Sequence, residues 1–364
     1  MEGIEYKIVA EIALRAWAEK VFLAMGVKQE EAVMAANVLL AADLRGIDSH
    51  GVARLPGYVR LWKKGRIKTD AIARVVHETP STATMDADAG LGLVASQKAM
   101  KLAIEKAKNV GSGWVAVKNS NHFGIAGFYS MMALEENMIG WAMTNASPLV
   151  APTHSKQAML GTNPIAVAFP AGNHRPVVID LATSTAANGK LQIADRLGKK
   201  IPTSWAADKM GVPSDNPQVL KKGGVLFPLG SSLEGSSHKG FGLSSMVDLF
   251  SGVLSGGGFG PFVPPFVDFL EPKITPHGTG IGHFFGAWRV DAFRPLEDYK
   301  AAMDVWIDEF KNAARVDENQ SIIIPGEPEY DSAKKRAIEG IPLVDNVYEN
   351  LKVLSREFNI ELNF

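Results

Sequence analysis

The chain has 364 residues, which is enough for two or three domains and a large buried core. Its 38 basic and 39 acidic residues nearly balance, so no basic surplus points to nucleic acid or anionic lipid as a partner. The sequence contains no cysteine, which excludes disulfides, thiolate nucleophiles and cysteine-ligated zinc or iron–sulfur sites. Any transfer of electrons by this chain would therefore need an organic cofactor.

Apolar residues recur at intervals of three and four through residues 7–64 and predict a mostly helical N-terminal region. The apolar run of residues 8–25 is interrupted by charged residues, among them Arg15 and Glu19. These charges favour an amphipathic helix over a signal peptide or a membrane span. We therefore expect a cytoplasmic protein.

A dense polar segment, residues 43–54, lies between these apolar runs and contains Ser49, His50 and Arg54. Imidazole titrates at roughly pH 6.5, so His50 is suited to proton transfer, and the planar guanidinium of Arg54 is suited to binding a carboxylate. If Ser49 caps a helix, His50 and Arg54 share one helix face because they are four residues apart. The pattern predicts chemistry on a small organic acid. A capped helix start with a solvated arginine is the alternative.

Beyond residue 75, short apolar runs alternate with helical segments, which is typical of a layered α/β body. The predicted strands cover residues 114–117, 139–143, 165–169 and 177–179, and the predicted helices cover residues 97–109 and 125–138. Residues 194–255 have a weaker pattern with proline and glycine, so we interpret them as an excursion that carries loops. The last zone predicts a helix at 296–314, a strand at 321–324 and a helix at 343–358.

One segment is close to the glycine fingerprint of dinucleotide-binding folds. Gly90, Gly92 and Ala95 fit the pattern G-x-G-x-x-A between an extended segment and a predicted helix. The acidic residue expected about 20 positions later is missing, because the next strand runs into Lys118. A tight turn into a packed helix is the alternative.

The turn of residues 119–124 follows a strand and opens a predicted helix, which would place His122 at a helix N-terminus. Exposed N–H groups at such an end favour a bound anion, and this kind of turn is a common ligand site in α/β proteins. The alternative is that Asn121 caps the helix and His122 is only a polar neighbour.

The strand predicted at 177–179 ends in a hydroxyl-rich turn, which is predicted to start a helix. This turn consists of Asp180, Leu181, Ala182, Thr183, Ser184 and Thr185. Its hydroxyls and free N–H groups could cradle a pyrophosphate or a ribose. Taken alone, the same residues also fit an ordinary capped helix start.

Lys239 lies in the pattern Ser-x-His-Lys, which also resembles the segment around the Schiff-base lysine of some pyridoxal-phosphate enzymes. That reading needs an upstream aspartate on the pyridinium nitrogen, and Asp208 and Asp215 lie in loop-like sequence. A cation that reaches a cofactor phosphate is the other role open to Lys239.

Seven short motifs occur in order along almost the whole chain, at residues 43–54, 119–124, 160–164, 179–190, 238–243, 282–285 and 325–327. Together they resemble the type 2 malate/L-lactate dehydrogenase family, which includes ureidoglycolate dehydrogenase, 2,3-diketogulonate reductase and L-sulfolactate dehydrogenase. The resemblance implies hydride transfer between NAD or NADP and a small 2-oxo or 2-hydroxy acid, without a metal. It also implies a homodimer with its active site near the subunit interface. An NADPH-dependent reductase of a cyclic imine carboxylate and a pyridoxal-phosphate enzyme on Lys239 are the alternatives.

The same resemblance implies an α/β fold with a mixed-sheet, non-Rossmann body that binds NAD(P), a helical N-terminal region and a smaller loop and helix excursion. We expect three domains. Residues 1–75 and 285–364 would form a helical, catalytic domain, residues 76–193 and 256–284 a cofactor-binding α/β domain, and residues 194–255 a small excursion subdomain.

By match to the family motifs, both His50 and His122 are candidates for the proton donor, Arg54 would hold the substrate carboxylate, and Ser49 would support it. The implied cofactor contacts are Ser147, Asp180, Leu181, Ala182, Thr183, Ser184, Thr185, His238, Lys239, Gly326 and Glu327. The sequence leaves open which histidine moves the proton, which acid is the substrate, and whether NAD or NADP is used.

Overall fold

The computed structural model describes residues 6–273 and 276–364. The first five residues of the predicted N-terminal domain lie outside the described residues. No helix in the described ranges is both long and apolar enough to cross a membrane. The division into three domains stays a prediction.

A seven-stranded mixed sheet forms the centre of the fold. In chain order the strands are Tyr6–Val9 (β1), Arg74–Glu78 (β2), Thr82–Asp86 (β3), Ser112–Ser120 (β4), Met138–Thr144 (β5), Ile165–Phe169 (β6), Val177–Leu181 (β7), Ala206–Ala207 (β8), Val225–Leu226 (β9), Ile281–Arg289 (β10) and Ile341–Val344 (β11). The large sheet has the order β2-β3-β4-β10-β5-β6-β7, and each neighbouring pair is antiparallel except β3 and β4. Two small antiparallel ladders join β1 with β11 and β8 with β9. The predicted α/β fold with a mixed sheet is confirmed.

Helices cover both faces of this sheet. In chain order they are Glu11–Ala24 (α1), Gln29–Leu44 (α2), Leu55–Lys63 (α3), Gly92–Val110 (α4), Ala126–Met132 (α5), Asn188–Arg196 (α6), Ser237–Asp248 (α7), Leu296–Lys311 (α8), Glu327–Glu339 (α9) and Asp345–Phe358 (α10). Side chains alternate across the central strands, as the two-residue period of a strand requires. Phe285 packs with α1, α2 and α4 in the larger core, whereas the adjacent Phe284 packs beside Val247 of α7 in a second core.

Most of the predicted elements are present. The four strands predicted between residues 114 and 179 lie within β4, β5, β6 and β7, and the helices predicted at 97–109 and 296–314 correspond to α4 and α8. The helix predicted at 125–138 is shorter, because α5 ends at Met132 and a 3-10 turn follows. The excursion contains α7, a twelve-residue helix whose two glycines weaken its helical pattern.

The strand predicted at 321–324 is wrong. Three of its four residues are isoleucines, but the N–H of Ile324 donates to Glu327 Oε2 instead of to a neighbouring strand. The buried side chain of Ile324 packs against Val177 and Ile307, between the sheet edge and α8. Burial against the helix therefore explains Ile324 without a strand, whereas Ile323 is 63% exposed.

The glycines of the fingerprint-like segment bring α4 against the chain beside His122. A Cβ atom at Gly92 would lie 2.0 Å from the carbonyl oxygen of Asn121, so only glycine permits this approach. The Asn121 side chain in turn donates to the carbonyl oxygens of Ala89 and Gly90, each at 3.0 Å. The first turn of α4 and the strand end that carries His122 are therefore fixed to each other.

A buried histidine links the three central strands. His283 of β10 has Nε2 2.7 Å from Ser120 Oγ on β4 and Nδ1 2.7 Å from Thr144 Oγ1 on β5. Burial lowers the pKa of His283 to about 3. At a pH at which the imidazole of the unfolded chain begins to bind a proton, the imidazole of the folded protein is therefore still neutral.

This difference should make stability sensitive to acid. The unfolded chain binds a proton at His283 below about pH 6.5 and the folded chain does not, so the free energy of unfolding should fall as the pH drops from 6.5 towards 5. In His283→Gln, urea unfolding between pH 5 and 7 should show this slope reduced by up to about 1.4 kcal/mol per pH unit. Phe285→Leu, a core change on the same strand without a titratable group, should lower stability but keep the wild-type slope. An unchanged slope in His283→Gln would contradict the assignment.

Candidate active site

The predicted chemical groups meet in one cleft, located where β5 ends and β10 begins. His50, Arg54 and His122 line it together with apolar side chains such as Leu149 and Phe266, and its cavity volume is about 90 Å³. The two histidine rings are nearly parallel, with centroids 5.7 Å apart and an interplanar angle of 21°. The fold thus brings His122 to the turn of His50 and Arg54, and holds the three groups within reach of one small molecule.

His50 and Arg54 do not share a helix face as the spacing suggested. His50 lies in an irregular turn, Arg54 ends the short 3-10 turn Val52–Arg54 that follows, and α3 begins only at Leu55. Ser49 does not cap a helix; its Oγ lies 2.8 Å from Nδ1 of His50. Arg54 Nε instead donates to the carbonyl oxygen of Ser49 at 2.5 Å, which brings the guanidinium back beside the imidazole.

A buried carboxyl group causes this turn. Asp43, near the end of α2, accepts the N–H of Val52 through Oδ2 at 2.8 Å, and that N–H is therefore not free for a helix. A Cβ at Gly51 would lie only 1.8 Å from Asp43 Oδ1, so the chain after His50 passes where only glycine fits. Burial raises the pKa of Asp43 to about 8, although the hydrogen bond from Val52 opposes the shift.

His122 lies before the helix instead of at its first turn. Helix α5 begins at Ala126, and the N–H of Gly124 donates back to His122 Nδ1 at 3.3 Å. The hydroxyl of Tyr58 lies 2.7 Å from the same nitrogen. Because a backbone N–H can only donate, Nδ1 is an acceptor and the neutral ring carries its hydrogen on Nε2. The anion-binding helix end that the sequence suggested is replaced by an oriented imidazole.

Both histidines are neutral beside a fixed cation. Burial, and after it the positive charge of Arg54, lower the pKa of His50 to about 3. Burial lowers the pKa of His122 well below its ordinary value, and His50 and Arg54 lower it further. Guanidinium keeps its proton under such conditions, so the cleft contains one permanent positive charge and two neutral imidazoles.

Phe266 forms a wall of the cleft that sequence reasoning missed. Its ring centroid is 4.4 Å from that of His122, and only 7% of the residue is exposed. The guanidinium of Arg60 donates to its carbonyl oxygen, and the side chain of Arg66 donates to those of Pro264 and Pro265. No local pattern marks this residue, because the groups that hold it come from elsewhere in the chain.

Ser147, an implied cofactor contact, also lines the cleft. Its Oγ accepts the backbone N–H of Phe266 at 2.8 Å. The serine therefore helps to fix the aromatic wall beside His122.

The hydroxyl-rich turn uses its donors within the protein. Thr183 Oγ1 lies within 3.1 Å of the carbonyl oxygens of Thr162 and Asn163, and Thr185 Oγ1 donates to that of Pro228 at 2.7 Å. Ser184 Oγ donates to the carbonyl oxygen of Ala186 at 2.9 Å. The predicted helix start is wrong here, since α6 begins only at Asn188. These hydroxyls shape the turn, while Ala182 is half-buried and Leu181 is exposed.

The implied cofactor segments nevertheless come together. The N–H of Val178 in β7 donates to the carbonyl oxygen of Pro325, which places Gly326 against this strand two residues before Asp180. The N–H of Leu229 donates to the carbonyl oxygen of Thr183.

The third implied segment adjoins Leu229 as well. A Cβ at Gly240 would meet the Leu229 backbone, so the first turn of α7, with the exposed His238 and Lys239, lies beside this turn. The carboxylate of Glu327 accepts from Lys311 Nζ at 2.5 Å.

An unsatisfied arginine supports this region as a place for an anionic cofactor. Within the described ranges, Nε of Arg45 is buried and has no hydrogen-bond partner. Burial lowers the pKa of Arg45, whereas the nearby carboxylates of Glu329 and Asp180 raise it. A cation with an open donor beside Asp180 and the start of α9 suits the phosphates of a dinucleotide, and the apolar walls of the cleft suit a flat nicotinamide ring.

Known dehydrogenases are similar to this chain over almost its whole length. The model of the malate/L-lactate dehydrogenase family matches residues 9–352. The chain is 42% identical over 343 residues to a malate dehydrogenase of Pyrococcus abyssi, covering 94% of this chain and 92% of that protein. It is 40% identical over 345 residues to a malate/(S)-sulfolactate dehydrogenase of Methanothermus fervidus, covering 95% and 96%. The crystal structure of malate dehydrogenase from Entamoeba histolytica matches with a TM-score of 0.91 and 35% identity, over 99% of this chain and 100% of that one.

The close approach at Gly51 gives a direct test of the turn. Gly51→Ala would place a methyl group inside the Asp43 carboxyl group, so the turn carrying His50 must shift. We expect a lower melting temperature, equivalent to about 1–3 kcal/mol, and a large loss of turnover. Gly242→Ala in α7, where a Cβ meets nothing within 4 Å, is the matched control and should keep or raise the melting temperature. Equal melting temperatures for the two variants would contradict the described packing.

Proposed function

The chain belongs to the malate/L-lactate dehydrogenase family, and we propose that it interconverts a small 2-oxo acid and its 2-hydroxy acid with NAD or NADP. The observation that carries the proposal is the convergence of one guanidinium and two neutral imidazoles in a single cleft. Such a set of groups can bind a carboxylate, hold a carbonyl oxygen and transfer a proton.

Arg54 binds the substrate carboxylate in this proposal. Its Nε already donates to the Ser49 carbonyl oxygen, so the guanidinium is fixed in orientation before substrate arrives. The start of α6 adjoins it, since a Cβ at Gly189 would lie 3.1 Å from Ser49 Cβ and 4.0 Å from Arg54 Nη2. Ser49 therefore supports both members of the pair, His50 through its hydroxyl and Arg54 through its carbonyl oxygen.

The two histidines take different roles. His122 carries its hydrogen on Nε2, because Nδ1 accepts from Gly124, and so it donates a hydrogen bond to the substrate oxygen. His50 Nδ1 lies 2.8 Å from the Ser49 hydroxyl, and a hydroxyl can accept from Nδ1–H. This tautomer leaves a lone pair on His50 Nε2 for the hydroxyl proton of a 2-hydroxy acid. We assign proton transfer to His50 and orientation of the oxygen to His122.

Substrate charge prepares His50 for the reverse direction. Burial, and after it the charge of Arg54, lower the pKa of His50. A carboxylate bound to Arg54 offsets that charge and raises the pKa of the imidazole. Protonation of His50 is therefore easier when a 2-oxo acid is present to accept the proton.

The cofactor would be held by Arg45, Asp180, the turn at Gly326 and the first residues of α7. When bound, a reduced nicotinamide supplies the hydride that converts the carbonyl carbon to a carbinol carbon. The chain's own residues bind the acid, hold its oxygen and exchange the proton. Lys239, exposed at the first turn of α7, fits a phosphate contact.

The charge around the cleft favours a substrate with two anionic groups. Arg66 adds its charge to that of Arg54 at His122, and among the described residues neither Arg60 nor Arg66 forms an ion pair with a carboxylate. Malate and (S)-sulfolactate, which appear in the names of two similar dehydrogenases, are such dianions. We therefore propose a dicarboxylate or sulfonated 2-oxo acid ahead of pyruvate.

We also propose that the chain acts as a homodimer. Four exposed apolar side chains lie on consecutive turns after α7, namely Leu249, Phe250, Val253 and Leu254. A contiguous apolar face of this kind is typical of a covered interface. A second copy over this face would lie against the helix that carries His238 and Lys239.

A panel of substrates and variants tests the proposal. Oxaloacetate, sulfopyruvate, pyruvate and a cyclic imine carboxylate are each assayed with NADH and with NADPH by absorbance. The dianions should give kcat/KM values at least about tenfold above pyruvate, equivalent to about 1.4 kcal/mol. His50→Asn should lower kcat by roughly two to four orders of magnitude, and Arg54→Lys should mainly raise KM because a point charge cannot replace the guanidinium fork. His77→Asn, on the exposed strand β2, is the control and should behave as wild type.

The outcomes separate the alternatives. Turnover of the imine alone would favour the reductase reading of the same scaffold. Wild-type kcat in His50→Asn would contradict the assignment of proton transfer. No oxidation of either reduced cofactor with any of these substrates would overturn the proposed function.

A further inference from the structure

Helix α9 binds the chain segment that leads into His50. Ser332 Oγ donates to the carbonyl oxygen of Leu44 at 3.0 Å, and Arg336 Nη1 donates to that of Asp43 at 2.6 Å. The same guanidinium forms a two-nitrogen ion pair with Asp48, in which Nη2 lies 3.3 Å from Oδ2. One helix face thus holds the end of α2 and the residue two places before His50.

The fit between α9 and this segment is close. Gly46 has φ of +76°, and a Cβ there would lie 2.9 Å from Ser332 Oγ. The Arg336 guanidinium satisfies a backbone carbonyl and both oxygens of a carboxylate, which needs a planar group with several donors. Only 17% of the Arg336 side chain is exposed, although its partner Asp48 is 55% exposed.

The turn of His50 is therefore anchored on both sides. Before it, Asp48 is bound by Arg336; after it, the N–H of Val52 is bound by the Asp43 carboxyl group. Asp43 belongs to both anchors, because its carbonyl oxygen accepts from Arg336. A shift of the guanidinium would move both ends of the turn that carries His50 and Arg54.

The other end of α9 lies in the implied cofactor region. The helix starts at Glu327, directly after Gly326, whose Cβ position is 3.0 Å from Val178 Cβ. Thirteen residues of helix span roughly 20 Å. The same rigid element thus connects the turn at β7 with the turn of His50.

We propose that Arg336 is a positioning residue for the proton-transfer group and the carboxylate-binding arginine. It does not line the cleft; it fixes the backbone on which His50 and Arg54 stand. The inference rests on the proposed function for its kinetic readout. It deepens that function, because it adds a residue of α9, a helix outside the cleft, to the groups that position the reacting side chains.

The experiment compares two arginines that each form an ion pair at α9. Arg336→Gln and Arg336→Lys are set against Arg175→Gln, because Arg175 also forms an ion pair with α9, through Asp331 at 2.6 Å, but does not contact the His50 segment. Steady-state kinetics with the best 2-oxo acid give kcat, both KM values and their pH dependence, and melting temperatures report stability.

Arg336→Gln should lower kcat/KM for the acid by about tenfold to a hundredfold, as expected when reacting groups are misplaced by a fraction of an ångström to one ångström. KM for the cofactor should stay within about twofold. The melting temperature should fall by more than in Arg175→Gln, because the Arg336 side chain is 17% exposed and that of Arg175 41%, and the kinetics of Arg175→Gln should match wild type. Arg336→Lys should recover part of the loss. Asp48→Asn should reproduce part of the loss without adding to it in the double variant, because it removes the ion pair with Arg336 but leaves the hydrogen bond to the Asp43 carbonyl oxygen.

A spectroscopic readout is independent of turnover. In protein labelled with ¹⁵N-histidine, the His50 ring signals, assigned by their loss in His50→Asn, should shift in Arg336→Gln and not in Arg175→Gln. Equal kcat/KM and equal His50 signals in these two variants would overturn the inference. Inactive wild-type protein would contradict the proposed function, while the histidine signals would still decide the role of Arg336.

Discussion

One fixed positive charge in a crowded cleft sets the chemistry of this protein. Arg54 keeps its proton, and burial, and after it the charge of Arg54, hold the pKa of His50 near 3, while burial, His50 and Arg54 hold that of His122 well below its ordinary value. Arg54 therefore attracts a carboxylate to the cleft without a competing imidazolium. In the proposed mechanism a bound carboxylate offsets the charge of Arg54 at His50, so substrate binding and proton transfer are coupled through that charge.

Backbone placement makes this arrangement possible. The Asp43 carboxyl group occupies the space beside Gly51 and takes the N–H of Val52, so the chain turns back instead of entering a helix. On the other side of the cleft, Gly92 lets α4 touch the backbone beside His122. Buried polar contacts and close glycine packing thus fix the two imidazoles at 5.7 Å, while a mobile loop would not hold that distance.

The sequence predicted the kinds of groups better than their geometry. Strand β6 matches its predicted range because continuous apolar runs mark buried strands, and His50, Arg54 and His122 were recognised from residue type. The shared helix face failed because a hydrogen bond from Val52 to Asp43 spans nine residues and leaves no local trace. Phe266 was missed because Arg60 and Ser147, distant in sequence, hold it against His122.

The account depends most on the neutral state of the two histidines and its response to an anion. Nitrogen-15 NMR of the imidazoles, free and with saturating malate in the absence of cofactor, measures it directly, with His50→Asn and His122→Asn assigning the signals. We expect both rings to be neutral at pH 6 in the free protein, His122 with its hydrogen on Nε2, and the pKa of His50 to rise when malate binds. A His50 ring that titrates near pH 6.5 in the free protein, or whose pKa does not change with malate, would contradict the account.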